Sequence, residues 1–175
     1  QRVSDELEDF VESVISKGGD LYSLLTHNTA AQKDAGVLGQ PGFLALHAAP
    51  TRSAPVRRGL FVLNKLLCDA PPPPPQDASL LLPPQTNGHT TRDRFAAHSQ
   101  GSCKGCHARI DGIGFTFEHY DGVGSYRALD NGQKVNASGA IVDQRDTALN
   151  GAVEGITELA HKLAASGQVS DCVAA

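Results

Sequence analysis

Cys103, Cys106 and His107 stand in the run Cys103-Lys-Gly-Cys-His107. Two thiols about one helical turn apart can each form a thioether with a vinyl group of haem, and the histidine that follows can bind the iron from one face. With 4 Cys and 7 His in 175 residues, only about 0.004 such runs are expected by chance. A thioredoxin-like thiol pair would follow a strand in a βαβ unit, and no apolar strand leads into Cys103. A structural zinc ion would need a fourth ligand at knuckle spacing, which His98 could supply. The pattern therefore points to one covalently held haem c, with zinc as its rival.

His107 is the proximal iron ligand in this reading. The chain has no Met, so a methionine sulfur cannot take the sixth position. His98, His47 and His119 each share a helical face with a Phe, whereas His89 sits in a polar loop and His161 on an outward helical face. His98 is favoured as distal ligand because its helix delivers the haem motif. His47 is the alternative, followed by His119 or an open position. Phe115 and Phe117, with Tyr120, supply flat apolar surface that could wall a porphyrin; ordinary core packing is the competing role.

These residues need elements to hold them. Residues 4–17 carry Leu7, Phe10, Val11, Val14 and Ile15 at helical spacing, with Gly18-Gly19 as the stop. Asp20 caps a shorter turn, and residues 28–42 read as a surface loop. Residues 42–47 form a short apolar helical piece ending in His47. Pro55 suits a first helical position, and Val56, Leu60, Leu63 and Leu67 then mark one face running to Cys68. Arg52, Arg57 and Arg58 read as solvated charges, with a propionate partner for one of them as the second reading. Pro71 to Pro75 is a stiff polyproline spacer, and residues 76–89 look irregular.

Thr90 or Thr91 opens the helix bearing Phe95 and His98. Asp130-Asn131-Gly132 is a hairpin turn, and Gly139-Ala-Ile-Val reads as a possible third strand. Asn136-Ala-Ser138 matches a glycosylation pattern, taken as coincidental. A last helix runs from about Val153 to Ala165, with Ile156, Leu159, Ala160 and Leu163 inward and Gly167 ending it. The expectation is a mainly α, small cytochrome c-like helical haem domain with a short β-hairpin and a polyproline segment. It divides into a helical part (1–69), a proline-rich linker (70–91) and the haem-bearing part (92–175).

The chain is 40% hydrophobic but 5% aromatic, a thin core to which a buried haem would add apolar contact. A net charge of −4 without a basic block argues against nucleic acid, and no apolar run reaches the length of a membrane span. With Cys103 and Cys106 committed to haem, Cys68 and Cys172 remain as a natural disulfide. That bond and covalent haem attachment both need an oxidising compartment, periplasmic or extracellular in a bacterium. Gln1 in place of Met is expected to mark a processed chain or a fragment.

Several stretches together resemble the cytochrome-like tail domains of large secreted bacterial proteins, domain-of-unknown-function families 1588 and 1585. They are Ser53-Ala-Pro-Val-Arg-Arg-Gly59, the Leu-Leu-Cys68 to Pro75 run, Arg92-Asp-Arg-Phe-Ala-Ala-His98, Cys103 to His107, Ile110 to Phe115 and Phe117 to Gly124. Residues 151–172 resemble the closing family, including Cys172, and residues 1–45 resemble the end of a neighbouring upstream domain. The resemblance implies a histidine ligand at His98 and a covalent haem outside the cytoplasm, without supplying a reaction. Members usually carry Asp-Pro where this chain has Asp111-Gly112, so the loop after the haem is expected to differ. Members also usually continue beyond the stretch present here.

Three functions follow as expectations. The first is an electron-transferring c-type cytochrome, serving a redox partner protein or an upstream domain of the same longer protein. The second is a five-coordinate haem peroxidase-like enzyme or sensor, with Arg109 or His47 near the open face. The third is a haem-free zinc module built on Cys103, Cys106, His107 and His98.

Overall fold

The computed structural model describes residues 2–28, 35–76, 86–98 and 100–175. The fold is mainly α: α1 (Arg2–Ser16), α2 (Leu21–Thr26), α3 (Pro41–Leu46), α4 (Pro55–Phe61), α5 (Thr91–His98), α6 (Lys104–Gly114), α7 (Gly155–Ala164) and α8 (Gly167–Ala174). Among the described residues two small antiparallel pairs accompany them. β1 (Leu129–Asp130) pairs with β2 (Gln133–Lys134), and β3 (Ser138–Ile141) with β4 (Gly151–Glu154). No helix among the described residues is long and apolar enough to cross a membrane.

Local signals explain most of the boundaries. Gly18 stops α1 at φ +76°, as a C-terminal αL glycine does. Asp20 caps α2 by accepting from the Ser23 N–H at 2.8 Å. Pro55 occupies the first turn of α4. Thr90 and Asp93 form a reciprocal capping box before α5, with the Thr90 N–H donating to Asp93 at 2.8 Å and the Asp93 N–H to the Thr90 hydroxyl at 3.2 Å. Asp130 adds a further acceptor for the Thr91 N–H. Pro71 to Pro75 form neither helix nor strand and are largely exposed.

The core draws on residues from both sides of the proline run. Leu25, Leu44, Leu63, Ile113, Phe117, Leu159 and Val169 all belong to one buried cluster. Each such side chain, fully withdrawn from water, stabilises by about 1.5–3 kcal/mol. Helix α6 lies at its centre through backbone-close contacts. A Cβ built on Gly59 of α4 would stand 2.2 Å from the Ile110 carbonyl oxygen, and one on Gly114 2.2 Å from that of Pro55. The other side of α6 meets β3 just as closely: a Cβ on Gly112 would lie 2.4 Å from the Ala140 oxygen, and one on Gly139 2.0 Å from the Gly112 oxygen. No proline ring fits at position 112 while β3 stays where it is.

Several expectations are corrected. The helical stretch running toward Cys68 forms, but its second half, Val62–Leu66, is a π-helical turn capped at Leu67, and Cys68 follows at φ +47°. The segment Gly36–Gly39, expected as surface loop, is a 3-10 turn with Gly36, Leu38 and Gly39 buried. Residues 29–34 and 77–85, within the two stretches expected to be loop or irregular, lie outside the described residues. The third short strand read at Gly139 to Val142 does form, at Ser138–Ile141, and its partner is β4 rather than the hairpin. Gly167 opens α8 rather than ending α7; the unread signal was Ser166 in the N-cap position before Val169 and Val173. Cys68 and Cys172 do form the disulfide, across a sequence separation of 104. In the chain-entropy account a bond of that span stabilises by roughly 4–5 kcal/mol.

Arg58 is also corrected. It is fully buried, and its guanidinium donates to the carbonyls of Phe117, Tyr120, Leu44 and Asp121 at 2.7–3.3 Å. Burial lowers it to about 10, so it remains charged at neutral pH. Beside it, buried Glu118 accepts from Arg127 at 2.7 Å and from the Ser53 hydroxyl at 3.1 Å. Arg127 also holds Asp130 at 2.7 Å, which reaches the start of α5. Burial pushes the Glu118 carboxyl up to about 7, offset in part by Arg127 and Arg58 and reinforced by Asp130.

Two outcomes follow. Gly59→Ala gains about 1 kcal/mol of helix propensity but forces α4 off α6, so it is expected to destabilise by about 1–3 kcal/mol net. Gly105, whose Cβ meets nothing within 4 Å, serves as control, and Gly105→Ala should melt no lower than the native chain. Equal melting temperatures for the native chain and Gly59→Ala would disprove the close α4–α6 contact. The folded Glu118 binds a proton more readily than its unfolded counterpart at 4.5. Its contribution to stability is therefore present below about 4.5 and lost as pH rises through about 7. Urea titrations from pH 5 to 8 should show that slope in the native chain and lose it in Glu118→Gln; an unchanged slope sinks the assignment.

Candidate haem-binding site

Cys103 closes a 3-10 turn at Gly101–Cys103 and stands at the N-cap of α6 with helical dihedrals. Cys106 lies three residues on, so the two thiols are neighbours on one turn. Both are free and partly exposed, and Cys106 packs partly against the core. His107 follows, largely buried. Its Nδ1 lies 3.0 Å from both carboxylate oxygens of Asp111, one helical turn later. That carboxylate favours the charged ring and raises the His107 pKa against the opposing effect of burial. With Nδ1 engaged, a metal would be taken on Nε2.

His107 lines a groove of about 460 Å³ between α5, α6 and β3, within the size range of small-molecule sites. Phe115, at the end of α6, forms part of its wall. It is held edge-on by Phe95 at 6.2 Å between ring centres, while the Arg92 guanidinium lies 4.1 Å over its face. Arg92 also donates to the Asn136 carbonyl at 3.2 Å and to that of Ser138, tying α5 to β3 across the groove. Lys104 adds a second cation to the lining. Gly139 and Ala140 complete the β3 side with little side-chain bulk.

Cys103 and Cys106 are not among the residues that line the groove; they stand on the turn that carries His107, and together with it they would suit haem c. Two unpaired thiols on one turn would take the two thioether bonds, an imidazole with its Nδ1 pinned would face the iron, a phenyl ring would flank the macrocycle, and Arg92 and Lys104 would meet its carboxylates. Among the described residues no three His, Cys, Asp or Glu side chains are grouped to hold a bare metal ion. A porphyrin, which brings four nitrogens of its own, asks less of the protein.

The remaining candidates are dispersed. Phe117 is fully buried in the core, 6.3 Å from the Phe43 ring centre, and does not line the groove. His47 lies between Phe43 and Phe61, at 4.5 and 4.6 Å, with Nδ1 2.9 Å from the Phe43 carbonyl oxygen. His119 stacks on Tyr126 and directs Nδ1 to the Arg127 carbonyl at 3.0 Å. Arg109 pairs with Asp69, not with the groove. Arg57 donates to the Ala48 carbonyl; the cations that reach the groove are Arg92 and Lys104. The backbone of His98 ends α5, and its side chain lies outside the described residues. Sequence reasoning missed Asp111, Arg92 and the Gly139 wall. Asp111 was legible from its i+4 spacing to His107; the β3 contact was not.

Residues 34–130 match the model of a family described as a protein of unknown function, DUF1588, with the short name PSCyt3. The matched span contains Arg58, the groove residues of α5 and α6, and the Glu118 network, and leaves residues 151–172 outside it. No curated protein and no solved structure matches the chain. The chain belongs to the DUF1588 family.

Proposed function

We propose that the chain is a c-type cytochrome domain that transfers electrons through one covalently attached haem. The observation that carries this reading is the placement of Cys103, Cys106 and His107 on the first turn of α6, with His107 lining a groove walled by Phe115. The family's short name, which hints at a cytochrome, agrees with it. When bound, the haem supplies a one-electron ferric–ferrous couple.

The protein's part is to hold that group still. Cys103 and Cys106 anchor it to the helix, and His107 presents Nε2 to the iron. His98 would be the candidate for a second iron ligand, since His47 is held between Phe43 and Phe61 away from the groove lining. Arg92 and Lys104 offset the two carboxylates that the group brings into an acidic chain. Helix α6, gripped on both sides by backbone contacts, has little freedom to rearrange between redox states. An oxidising compartment, periplasmic or extracellular, suits both the thioether chemistry and the Cys68–Cys172 disulfide. A redox partner protein or an adjoining domain of a longer chain would exchange the electrons.

The test is a visible spectrum of the protein made with haem-attachment machinery, oxidised and then dithionite-reduced, followed by acid-acetone extraction. Colour that stays with the protein, and is lost in the Cys103→Ser/Cys106→Ser double variant, is the expected result. Sharp reduced bands accord with a six-coordinate carrier. A broad high-spin spectrum would transfer the assignment to a haem enzyme or sensor, and a colourless native protein would leave zinc or free thiols.

A further inference from the structure

We propose that Asp111 is a positioning residue that makes His107 a strongly electron-donating iron ligand and so holds the haem potential low. The proposal rests on the cytochrome reading above and goes beyond it by assigning what sets the potential. Three observations carry it. Both carboxylate oxygens lie 3.0 Å from Nδ1, so the ring donates its proton to a negative acceptor rather than to a neutral carbonyl. The pair is shielded, with the His107 side chain 14% and the Asp111 side chain 10% exposed, and a charge-assisted hydrogen bond is stronger where water is scarce.

The third observation is rigidity. Both residues belong to α6 at i and i+4, the spacing that stacks side chains on one helical face. The next residue, Gly112, is pressed against the Ala140 carbonyl, and Gly114 against Pro55. The backbone that carries the pair therefore cannot drift when the iron changes charge. A carboxylate behind a metal-bound histidine fixes its tautomer and raises its basicity. A more basic imidazole favours the more positive iron, so the ferric state gains relative to the ferrous.

The test compares native, Asp111→Asn and Asp111→Glu proteins, each loaded with haem, by spectroelectrochemical titration. Asn keeps the size and an acceptor oxygen but removes the charge. It is expected to shift the ferric–ferrous equilibrium at least tenfold toward ferrous, which is about 59 mV for one electron. Glu restores the charge and should return most of the shift. A purely structural role for Asp111 would lower the melting temperature without moving the potential. A ferric–ferrous equilibrium shifted less than tenfold in Asp111→Asn overturns the proposal while leaving the cytochrome reading intact; absence of covalent haem in the native protein overturns the reading itself. Should Asp111→Asn fail to load, nitrogen-15 NMR of the reduced native protein decides. A slowly exchanging proton on His107 Nδ1 is expected, and a rapidly exchanging one overturns the proposal.

Discussion

Everything at the site depends on how closely the backbone of α6 is approached from two directions. Gly59 lets α4 meet the Ile110 carbonyl of α6, Gly114 lets α6 meet the Pro55 carbonyl of α4, and Gly112 with Gly139 does the same for β3. Glycine inside a helix costs about 1 kcal/mol relative to Ala, and α6 contains Gly105, Gly112 and Gly114. The cost at Gly112 and Gly114 is offset by the packing their missing side chains permit. A helix held this way is a stiff mount for Cys103, Cys106 and His107, whose positions would otherwise rest on the fraying first turn of an isolated helix.

Around that mount the polar interior is unusually committed. Arg58 satisfies four carbonyls from two separate chain segments, work that water does elsewhere. Glu118, Arg127 and Asp130 then run from the entry of α4 to the first N–H of α5. The helix that leads into Cys103 is thus capped by the hairpin beyond it. Removing one member of such a network would leave a buried charge without its partner, which is costlier than never having buried it. On the opposite side, the Cys68–Cys172 bond and Gln168, which donates to the Leu67 carbonyl at 2.8 Å, fasten α8 to the end of the π-helical turn.

Much of the helical framework was legible from local chemistry. Gly18-Gly19, Asp20, Pro55 and Thr90-Thr91 punctuate the chain where the helices begin or stop, because capping and stopping involve residues adjacent in sequence. Segments whose role is decided by distant neighbours were misread. Val153 and Glu154, expected to open the last helix, belong to β4 and pair with β3, and the Gly36–Gly39 turn looks like a loop until α2 is laid over it. Arg58 looked solvated because nothing in its own neighbourhood announces four carbonyls, three of them about sixty residues away.

The candidate site divides in the same way. Cys-x-x-Cys-His is a local pattern whose chemistry needs only one turn of chain, and the two remaining cysteines were pairable by number alone. The sequence by itself therefore determined the chemistry on offer: two thiols, an imidazole, no methionine, and a disulfide. Tertiary structure alone decided which residues surround that chemistry. It brought Phe115, Arg92 and β3 to the groove and sent Phe117 into the core. The physical reason is that covalent reach and helical period are properties of short segments. Burial, close backbone approach and the sharing of a charge instead depend on contacts between residues far apart in the chain.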